Sequence, residues 1–333
     1  LPAQARASGA IMPLDQLHAG QRGQVWTVFR GTEVESFDVE VTGVVQNALG
    51  PGKSLILCQL TDPRVQNMGA VAGMSGSPLY IEGKLAGALS YQIQRFETVR
   101  YAGFTPAADL AEVRDRPDLV PGGGLPVLPA APIRTTSTAG SYSPLRPVFT
   151  ISGLSPQVAD LLTPQFTALG LEVSSLGGSL SAANSTGSAS TPPAALHAGS
   201  AVSVALAIGD ITLAGTGTVS RVDGDRITAF GHPMLSLGDV ELPMCAAEIV
   251  TILPSTLQSS KIANTGQVIG TITQDRLSAI SGTLGAGPAM IDVEVNVASP
   301  AGSDRAPRTL HFKVARQAQL SPSLIASGIT QAI

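Results

Sequence analysis

The stretch "AVAGMSGSPLYIEGKLAGALSY", residues 70–91, decides how the first half of the chain is expected to fold. It begins as a turn, because two glycines, two serines and a proline are crowded between apolar residues. It continues as a predicted β-hairpin, in which Glu82-Gly83 supplies the tight connection between two apolar runs. Ser75 lies in the turn, and the sequence leaves two alternatives for it: a plain turn between strands, or a bend that presents the hydroxyl for chemistry.

The composition predicts a protein built mostly of short strands. Its 333 residues include 36 Gly and 24 Pro, which favour turns over long helices. Aromatic residues make up only 4%, so aliphatic side chains must build the interior. Charged residues make up 13%, and the net charge of −4 comes without a basic block. We therefore expect no nucleic-acid partner and no attraction to an anionic membrane surface.

Shifts in composition divide the chain into three parts. Residues 1–112 alternate apolar and polar positions in several runs, which predicts a β-rich unit that carries the serine turn. Residues 113–200 are rich in Pro, Gly and Ser and are predicted to form a connector rather than a core. Residues 201–333 return to strand patterns such as "IDVEVNV", where alternate valines indicate one buried face.

Two helices are predicted within this mainly β pattern. Residues 155–170 form the first helix, which Pro164 is expected to kink or divide. The second helix closes the chain and is expected to be capped by Ser321. Residues 174–200 contain few large apolar side chains, so we expect a mobile loop there that is open to cleavage.

The two cysteines, Cys58 and Cys245, are far apart in the sequence, and each lies in an apolar run. Two buried free thiols are the favoured interpretation, and a disulfide between the two segments is the alternative. No Cys or His pair has the spacing of metal ligands, so neither a metal nor another cofactor is expected. Low charge and abundant small residues favour an extracytoplasmic bacterial protein, periplasmic or secreted, and no apolar run is long enough to span a bilayer.

Serine catalysis needs a nucleophile, a base and hydrogen-bond donors for an oxyanion. Gly73 precedes Ser75 by two residues and lacks a side chain that would obstruct a substrate. The backbone amides of Gly73 and Ser75 are therefore candidates to converge on one oxygen. Because Gly/Ser turns are common between strands, the turn alone does not establish catalysis, and a base must be found.

His232 has the most restricted surroundings of the four histidines. Gly231 and Pro233 fix the backbone on both sides, and the residue follows a predicted strand. The alternative is a structural role in a partly buried site. The other histidines are expected in a turn, in the connector loop and on the outer face of a strand, and they are His18, His197 and His311.

A carboxylate is needed to orient the imidazole. Asp62 follows a buried strand and comes shortly before Ser75, which makes it the first candidate. Its alternative role is a turn cap before Pro63, a common use of Asp. The other candidates lie close to His232 in the sequence, and they are Asp223, Asp225 and Asp239.

Two long motifs resemble one known family. "LTDPRVQNMGAVAGMSGSPLYIEGKLAGALSY", residues 60–91, resembles the serine segment of the sporulation stage IV protein B (SpoIVB) peptidases, and "GTGTVSRVDGDRITAFGHPM", residues 215–234, resembles their histidine segment. The resemblance implies Ser75 as the nucleophile, His232 as the base and Asp62 as the orienting carboxylate. It also implies regulatory proteolysis outside the cytoplasm, including self-cleavage, and two chymotrypsin-like β-barrels joined by a short helix and long loops. Because the histidine segment comes first in the sporulation peptidase, this chain resembles a circularly permuted form.

The same resemblance implies where a substrate binds. In chymotrypsin-like folds, the outgoing strand of the hairpin after the nucleophile pairs with the substrate backbone. The pocket for the residue before the cleaved bond is expected between this strand and residues 69–72, with Ala70 and Val71 in its wall. Since no charge lies there, small or apolar side chains are expected to be preferred. The strand residues expected to present an unpaired edge to the substrate are Ala88, Leu89, Ser90 and Tyr91.

The favoured interpretation is a serine endopeptidase that cuts a protein or peptide substrate. Its own chain is one candidate substrate, with the loop at residues 174–200 as the expected cleavage site. One alternative is a non-catalytic module on the same fold that binds a peptide or an envelope protein. The other is a domain that cuts itself once and then serves as a scaffold.

Overall fold

Two β-sheets account for most of the described chain, which confirms the mostly β prediction. Within the described residues, no helix is both long enough and apolar enough to cross a membrane. The computed structural model describes residues 9–93, 99–118, 142–145, 147–168, 172–174, 176, 178–179, 195–255, 258–298 and 307–333.

The first sheet is antiparallel, and its pairings close on themselves. Its strands are β1 (Arg22–Val28), β2 (Val34–Gly50), β3 (Lys53–Leu60), β4 (Pro78–Ile81), β5 (Lys84–Ile93), β6 (Tyr101–Pro106) and β7 (Tyr142–Pro144). Neighbours follow the order β4-β1-β2-β3-β6-β5, and β4 also pairs with β5, so these pairings form a ring. β7 lies outside the ring and pairs with the end of β5.

The predicted hairpin is confirmed as β4 and β5. Glu82 and Gly83 connect the two strands with φ values of 50° and 75°. Positive φ at both central residues is typical of the two-residue turns whose twist matches that of a hairpin.

The second sheet also contains a ring of pairings. Its strands are β8 (Val148–Ser152), β9 (Glu172–Ser174), β10 (Gly178–Ser179), β11 (Ala201–Gly209), β12 (Thr212–Asp223), β13 (Arg226–Ala229), β14 (Gly238–Leu253), β15 (Ser260–Arg276), β16 (Ala279–Leu284), β17 (Met290–Val297) and β18 (Arg308–Ala315). The order β11-β14-β15-β16-β13-β12 is closed by the pairing of β11 with β12. β18 extends this ring from β11, and β8 extends it from β12.

The helices correct two details of the sequence predictions. The helical segments are α1 (Pro63–Met68), α2 (Ala107–Arg114), α3 (Pro156–Ala168), α4 (Ser321–Ala332) and a short 3-10 segment at Leu14–Gln16. α3 runs through Pro164 as one helix, so the expected division is wrong. Ser321 is not the cap of α4, because Leu320 takes that position and the Ser321 hydroxyl donates to the carbonyl oxygens of Ala315 and Gln317.

Each sheet contributes to a hydrophobic cluster of mainly aliphatic side chains. Cys58 and Cys245 are both buried and free, which confirms the favoured interpretation of two thiols. Burial raises the pKa of both thiols, that of Cys245 to about 12. Both side chains are therefore inert, uncharged members of the interior.

The predicted connector contributes to both sheets. β7 joins the first sheet, whereas β8, β9 and β10 join the second. Leu145 is fully buried in the hydrophobic cluster of the first sheet, so this part of the connector does enter a core, contrary to expectation. The greater part of residues 174–200, where mobility and cleavage were predicted, lies outside the described residues.

Candidate active site

The serine turn, residues 73–77, is pressed against the second sheet. Gly76 has φ 94°, a conformation that L side chains rarely adopt. A Cβ at this position would overlap the carbonyl oxygen of Thr218 and the amide of Phe230. Glycine is therefore required here both for the backbone conformation and for the close approach of β12 and the end of β13.

Hydrogen bonds from β12 hold the turn from the side of the second sheet. The amide of Thr218 donates to the carbonyl oxygen of Ser75 at 2.8 Å, and its hydroxyl donates to that of Gly73 at 3.0 Å. The Ser220 hydroxyl donates to the carbonyl oxygen of Gly76 at 2.8 Å. Three carbonyls of the serine turn thus point at the second sheet and are satisfied there.

β5 holds the turn from the side of the first sheet. The amide of Gly76 donates to the carbonyl oxygen of Leu89 at 2.7 Å, and the amide of Leu89 donates to that of Ser77 at 2.9 Å. The serine turn is therefore fixed between the two sheets, although the segments that hold it are far apart in the sequence.

The hydroxyl of Ser75 is the unusual group of the turn. Ser75 is fully buried, and its Oγ has no hydrogen-bond partner among the described residues. Leaving a buried hydroxyl unpaired costs about 1–3 kcal/mol, so folding alone does not favour a serine at this position. An unpaired oxygen held on a rigid turn is free to react.

Two backbone amides beside this hydroxyl are also without partners. Within the described residues, the amides of Gly73 and Ser75 have no acceptor, whereas those of Met74, Gly76 and Ser77 each donate to a carbonyl. Gly73 has φ 93°, which turns its amide in a direction that most residues cannot reach. These are the two donors that the sequence predicted for an oxyanion.

His232 lies three residues after the end of β13, and Phe230, two residues before it, approaches Gly76 of the serine turn. The residue is fully buried, and Gly231 is fixed by a hydrogen bond from the Thr105 hydroxyl to its carbonyl oxygen at 2.6 Å. The Nδ1 atom of His232 lies 2.8 Å from the carbonyl oxygen of Pro233, and its Nε2 atom lies 2.7 Å from that of Leu145. Both ring nitrogens thus face backbone oxygens, and neither hydrogen-bonds to Ser75 in this arrangement.

Asp62 does not contact His232. Its Oδ1 atom accepts from the amide of Arg64 at 2.8 Å, which caps α1, and its Oδ2 atom pairs with the Arg64 guanidinium at 2.9 Å. The hydrogen bonds from Arg64 lower the pKa of this carboxyl. The cap that the sequence offered as an alternative is therefore present, and the role of Asp62 in a triad stays a prediction.

The other candidate carboxylates are also engaged elsewhere. Asp223 pairs with Arg221 and Arg114. Asp239 accepts a hydrogen bond from the Nε2 atom of the Gln274 side chain and pairs with Arg276. Asp225 is exposed in the turn between β12 and β13, whereas His232 is buried.

The comparison with known families identifies the region that contains the serine turn. Residues 4–104 match the model of the SpoIVB peptidase S55 family. The match supports a serine peptidase, and therefore a hydrolase, and it includes Asp62 and Ser75 but ends well before His232. Neither a curated protein nor a solved structure matches the chain.

The edge expected to receive a substrate is already paired. Tyr91 of β5 pairs with Pro144 of β7, and the amide of Leu145 donates to the carbonyl oxygen of Ser90 at 2.8 Å. On the other side of β5, Ala88 and Leu89 pair with β6. The prediction of an unpaired edge from Ala88 to Tyr91 is therefore wrong, because a segment of the same chain occupies it.

Asp275 is a buried carboxylate that sequence reasoning missed. It lies near the end of β15 and accepts from the amides of Met234 at 2.7 Å and Leu235 at 2.8 Å, with Leu237 at 3.2 Å. Burial raises the pKa of Asp275, and these amides oppose that shift. Asp275 thus anchors the loop that follows His232. Its position gave no signal, because it breaks the alternation of β15 just before a turn, where Asp is usually exposed.

Lys261 is a second buried group that lies against the serine turn. A Cβ on Gly73 would lie 3.0 Å from the Cβ of Lys261, so the lysine stem packs directly against this glycine. Its Nζ atom hydrogen-bonds to the Thr27 hydroxyl at 2.8 Å, and burial lowers the pKa of Lys261 to about 7. No sequence signal pointed to this burial, because the apolar Ile262 next to it lies on the opposite, less buried face.

We expect Asp275→Asn to reduce both stability and activity. The new amide group would face backbone donors, so the free energy of unfolding should fall by about 1–3 kcal/mol. Peptide hydrolysis should also fall, because the loop after His232 loses its acceptor. Urea unfolding and peptidase assays measure both effects. Asp239→Asn is the matched control, since Asp239 is partly exposed, and an equal loss in both variants would contradict the anchoring role.

We expect Lys261→Met to stabilise the protein in a pH-dependent way. A lysine with a folded pKa near 7 and an unfolded pKa near 10.4 penalises folding fully below pH 7, and the penalty fades as the pH rises towards 10. The gain should therefore be largest below pH 7, at most about 5 kcal/mol, and should shrink at higher pH. Urea unfolding of both chains from pH 6 to about 10 measures the difference. Exposed Lys313→Met is the control, and a gain that does not vary with pH would contradict the assignment.

Proposed function

We propose that this chain is a serine endopeptidase that acts outside the bacterial cytoplasm. Ser75 is the nucleophile, His232 is the base, and the amides of Gly73 and Ser75 bind the oxyanion. The observation that carries the proposal is the unpaired, buried Ser75 hydroxyl beside two unpaired amides. The match of this region to a serine peptidase family supports the assignment of Ser75 as the nucleophile.

The reaction follows from these positions. The Oγ atom of Ser75 attacks the substrate carbonyl carbon while the Nε2 atom of His232 takes the hydroxyl proton. The substrate oxygen becomes negative and is bound by the two amides, which are rigid and need no reorganisation. His232 then gives the proton to the leaving amine, and water hydrolyses the acyl-enzyme by the same steps in reverse order.

The two rings of strand pairings support a chymotrypsin-like arrangement. We infer that each ring forms one barrel and that the site lies between them, with the serine unit first in the chain. The hydrogen bonds from β5 and β12 to the serine turn support this interpretation, because they come from both rings. The geometry of a serine site does not depend on the order of its members in the chain.

The orientation of His232 can be supplied by a backbone oxygen. The Nδ1 atom lies 2.8 Å from the carbonyl oxygen of Pro233, which can accept the Nδ1 proton as a carboxylate would. Once the Nε2 atom is released from the Leu145 carbonyl oxygen, this contact favours the tautomer in which Nε2 is the basic atom. A carbonyl stabilises the imidazolium less than a carboxylate does, because it carries no full charge. Because the Asp62 carboxylate pairs with Arg64 instead, we favour the carbonyl oxygen of Pro233 for orienting the imidazole.

One observation favours the alternative of a non-catalytic binding module. Ser75 and His232 are both fully buried, and the His232 Nε2 atom contacts Leu145 instead of Ser75. A fluorophosphonate probe separates the two functions, because it labels only an activated serine. Labelling at Ser75 supports the peptidase, and a folded chain without labelling supports the binding module.

We expect Ser75→Ala to abolish peptide hydrolysis and probe labelling without loss of stability. The free energy of unfolding should stay equal or rise, because the hydroxyl is buried and unpaired. His232→Ala should reduce hydrolysis by roughly 10²–10⁴. The double variant should be little worse than Ser75→Ala, since both groups act in one step.

The matched control for this prediction is Ser77→Ala. The Ser77 hydroxyl is also buried, but it donates to the carbonyl oxygen of Met74 at 2.6 Å. Its loss should cost about 1 kcal/mol of stability and leave labelling at Ser75 intact. Hydrolysis that survives in Ser75→Ala would exclude the proposed nucleophile.

We expect Asp62→Asn to retain most of the peptidase activity. Asn caps a helix about as well as Asp, and the ion pair with Arg64 is partly exposed, so folding should change little. Steady-state hydrolysis of a peptide library measures the effect. A loss of roughly 10⁴ with an intact fold would instead make Asp62 the carboxylate of a triad.

A further inference from the structure

Residues 142–145, "YSPL", continue the edge of β5 at the point where the serine turn leaves it. Gly76 of the serine turn donates to the carbonyl oxygen of Leu89. The carbonyl oxygen of the next residue, Ser90, accepts from the amide of Leu145 at 2.8 Å. β7 then pairs antiparallel with Tyr91, Gln92 and Ile93. The segment is therefore an added strand whose carboxyl end points at the serine turn.

Leu145, the residue after β7, is the one in this segment that contacts His232. Its side chain is fully buried in the hydrophobic cluster that also contains Ala70, Val71 and Leu89. Its carbonyl oxygen lies 2.7 Å from the Nε2 atom of His232. A backbone added to the edge of a sheet and a side chain buried in a pocket are the features of a peptide bound by strand addition.

We propose that residues 142–145 occupy the strand position of a peptide substrate and cover the site. It follows that the peptidase takes an extended segment with a large aliphatic residue, such as leucine, before the cleaved bond. The sequence predicted a pocket that prefers small or apolar side chains. The proposal narrows this preference to aliphatic side chains of about the size of leucine. The proposal rests on the proposed function for the chemistry at Ser75 and His232, but not for the binding of the strand.

The contacts of His232 explain why this strand blocks the site. A neutral imidazole carries one N–H group and can donate to only one of the two carbonyl oxygens, those of Pro233 and Leu145. Whichever protons the ring holds, its Nε2 atom is directed at Leu145 and does not accept from Ser75. The Leu145 oxygen also faces the histidine instead of the amides of Gly73 and Ser75, so the strand is not placed for attack.

Side chains at the far end of the strand help to keep it in place. The Tyr142 ring packs edge-on against Tyr91 with centroids 5.6 Å apart, and its hydroxyl donates to the carbonyl oxygen of Ala48. The Nε2 atom of the Gln92 side chain donates to the Ser143 hydroxyl at 2.8 Å. These are few contacts for a strand, so a competing peptide has little to displace apart from Leu145.

The test measures peptide binding in chains that cannot cleave. A fluorescein-labelled peptide GSYSPL, the sequence of residues 140–145, is titrated into Ser75→Ala and into Ser75→Ala with Leu145→Ala. We expect affinity about 30-fold higher in the double variant, the lower end for removing a buried leucine that competes for the pocket. Ser143→Ala in the same background is the control and should not change the affinity. A peptide ending in Asp should not bind.

Equal affinity for the two chains, or equal binding of the peptide ending in Asp, would overturn the proposal. Leu145→Ala alone should react faster than the parent chain with a fluorophosphonate. If the binding result holds but no chain is labelled, the proposed catalytic function fails and the strand proposal stands. If the parent chain and Leu145→Ala are labelled at one rate and the affinities are equal, the catalytic function stands and the strand proposal fails.

A second measurement covers the case in which Leu145→Ala does not fold. Amide hydrogen exchange is followed in Ser75→Ala with and without GSYSPL at concentrations up to its solubility limit. Exchange at residues 142–145 should accelerate because the peptide displaces them, while β6 should keep its protection. Unchanged exchange at residues 142–145 would overturn the proposal.

Discussion

The serine turn depends on one close approach, that of Gly76 to the backbone of Thr218 and Phe230. This contact requires a glycine with positive φ, and it brings a turn of the first sheet within hydrogen-bond distance of β12. The position of Ser75 is therefore set by both sheets at once. A side chain at residue 76 would push the sheets apart and separate the serine turn from the end of β13, which carries His232.

Three buried polar groups lie in the serine turn, against it, or at the loop after His232, and none of them is favoured by folding alone. Ser75 has an unpaired hydroxyl, Lys261 is buried beside Gly73 with a single partner at its Nζ atom, and Asp275 is a buried carboxylate held by amides. Groups of this kind concentrate where a site is preorganised for chemistry, at the expense of stability. Their burial at the serine turn and at the loop after His232 supports a functional site independently of the family match.

Local signals predicted the features that depend on neighbouring residues. The hairpin follows from Glu82-Gly83, the cap on α1 was foreseen as an alternative for Asp62, and the strand predicted before His232 is present as β13. Leu145 and Asp275 could not be predicted, because their roles depend on which distant strand lies beside them. The pairing of β7 with β5 joins residues about 50 positions apart, and no local pattern specifies it.

The strand at residues 142–145, which we propose covers the site, also affects how the enzyme would select substrates. Because it belongs to the same chain, residues 142–145 compete at an effective concentration on the order of mM. Burial of one leucine contributes about 1.5–3 kcal/mol, so the cover is modest and a good substrate can displace it. A substrate must then offer either a better aliphatic side chain or a longer strand along β5. Selectivity would arise from this competition as well as from the pocket, and short peptides without a large aliphatic residue would be excluded before any chemistry begins.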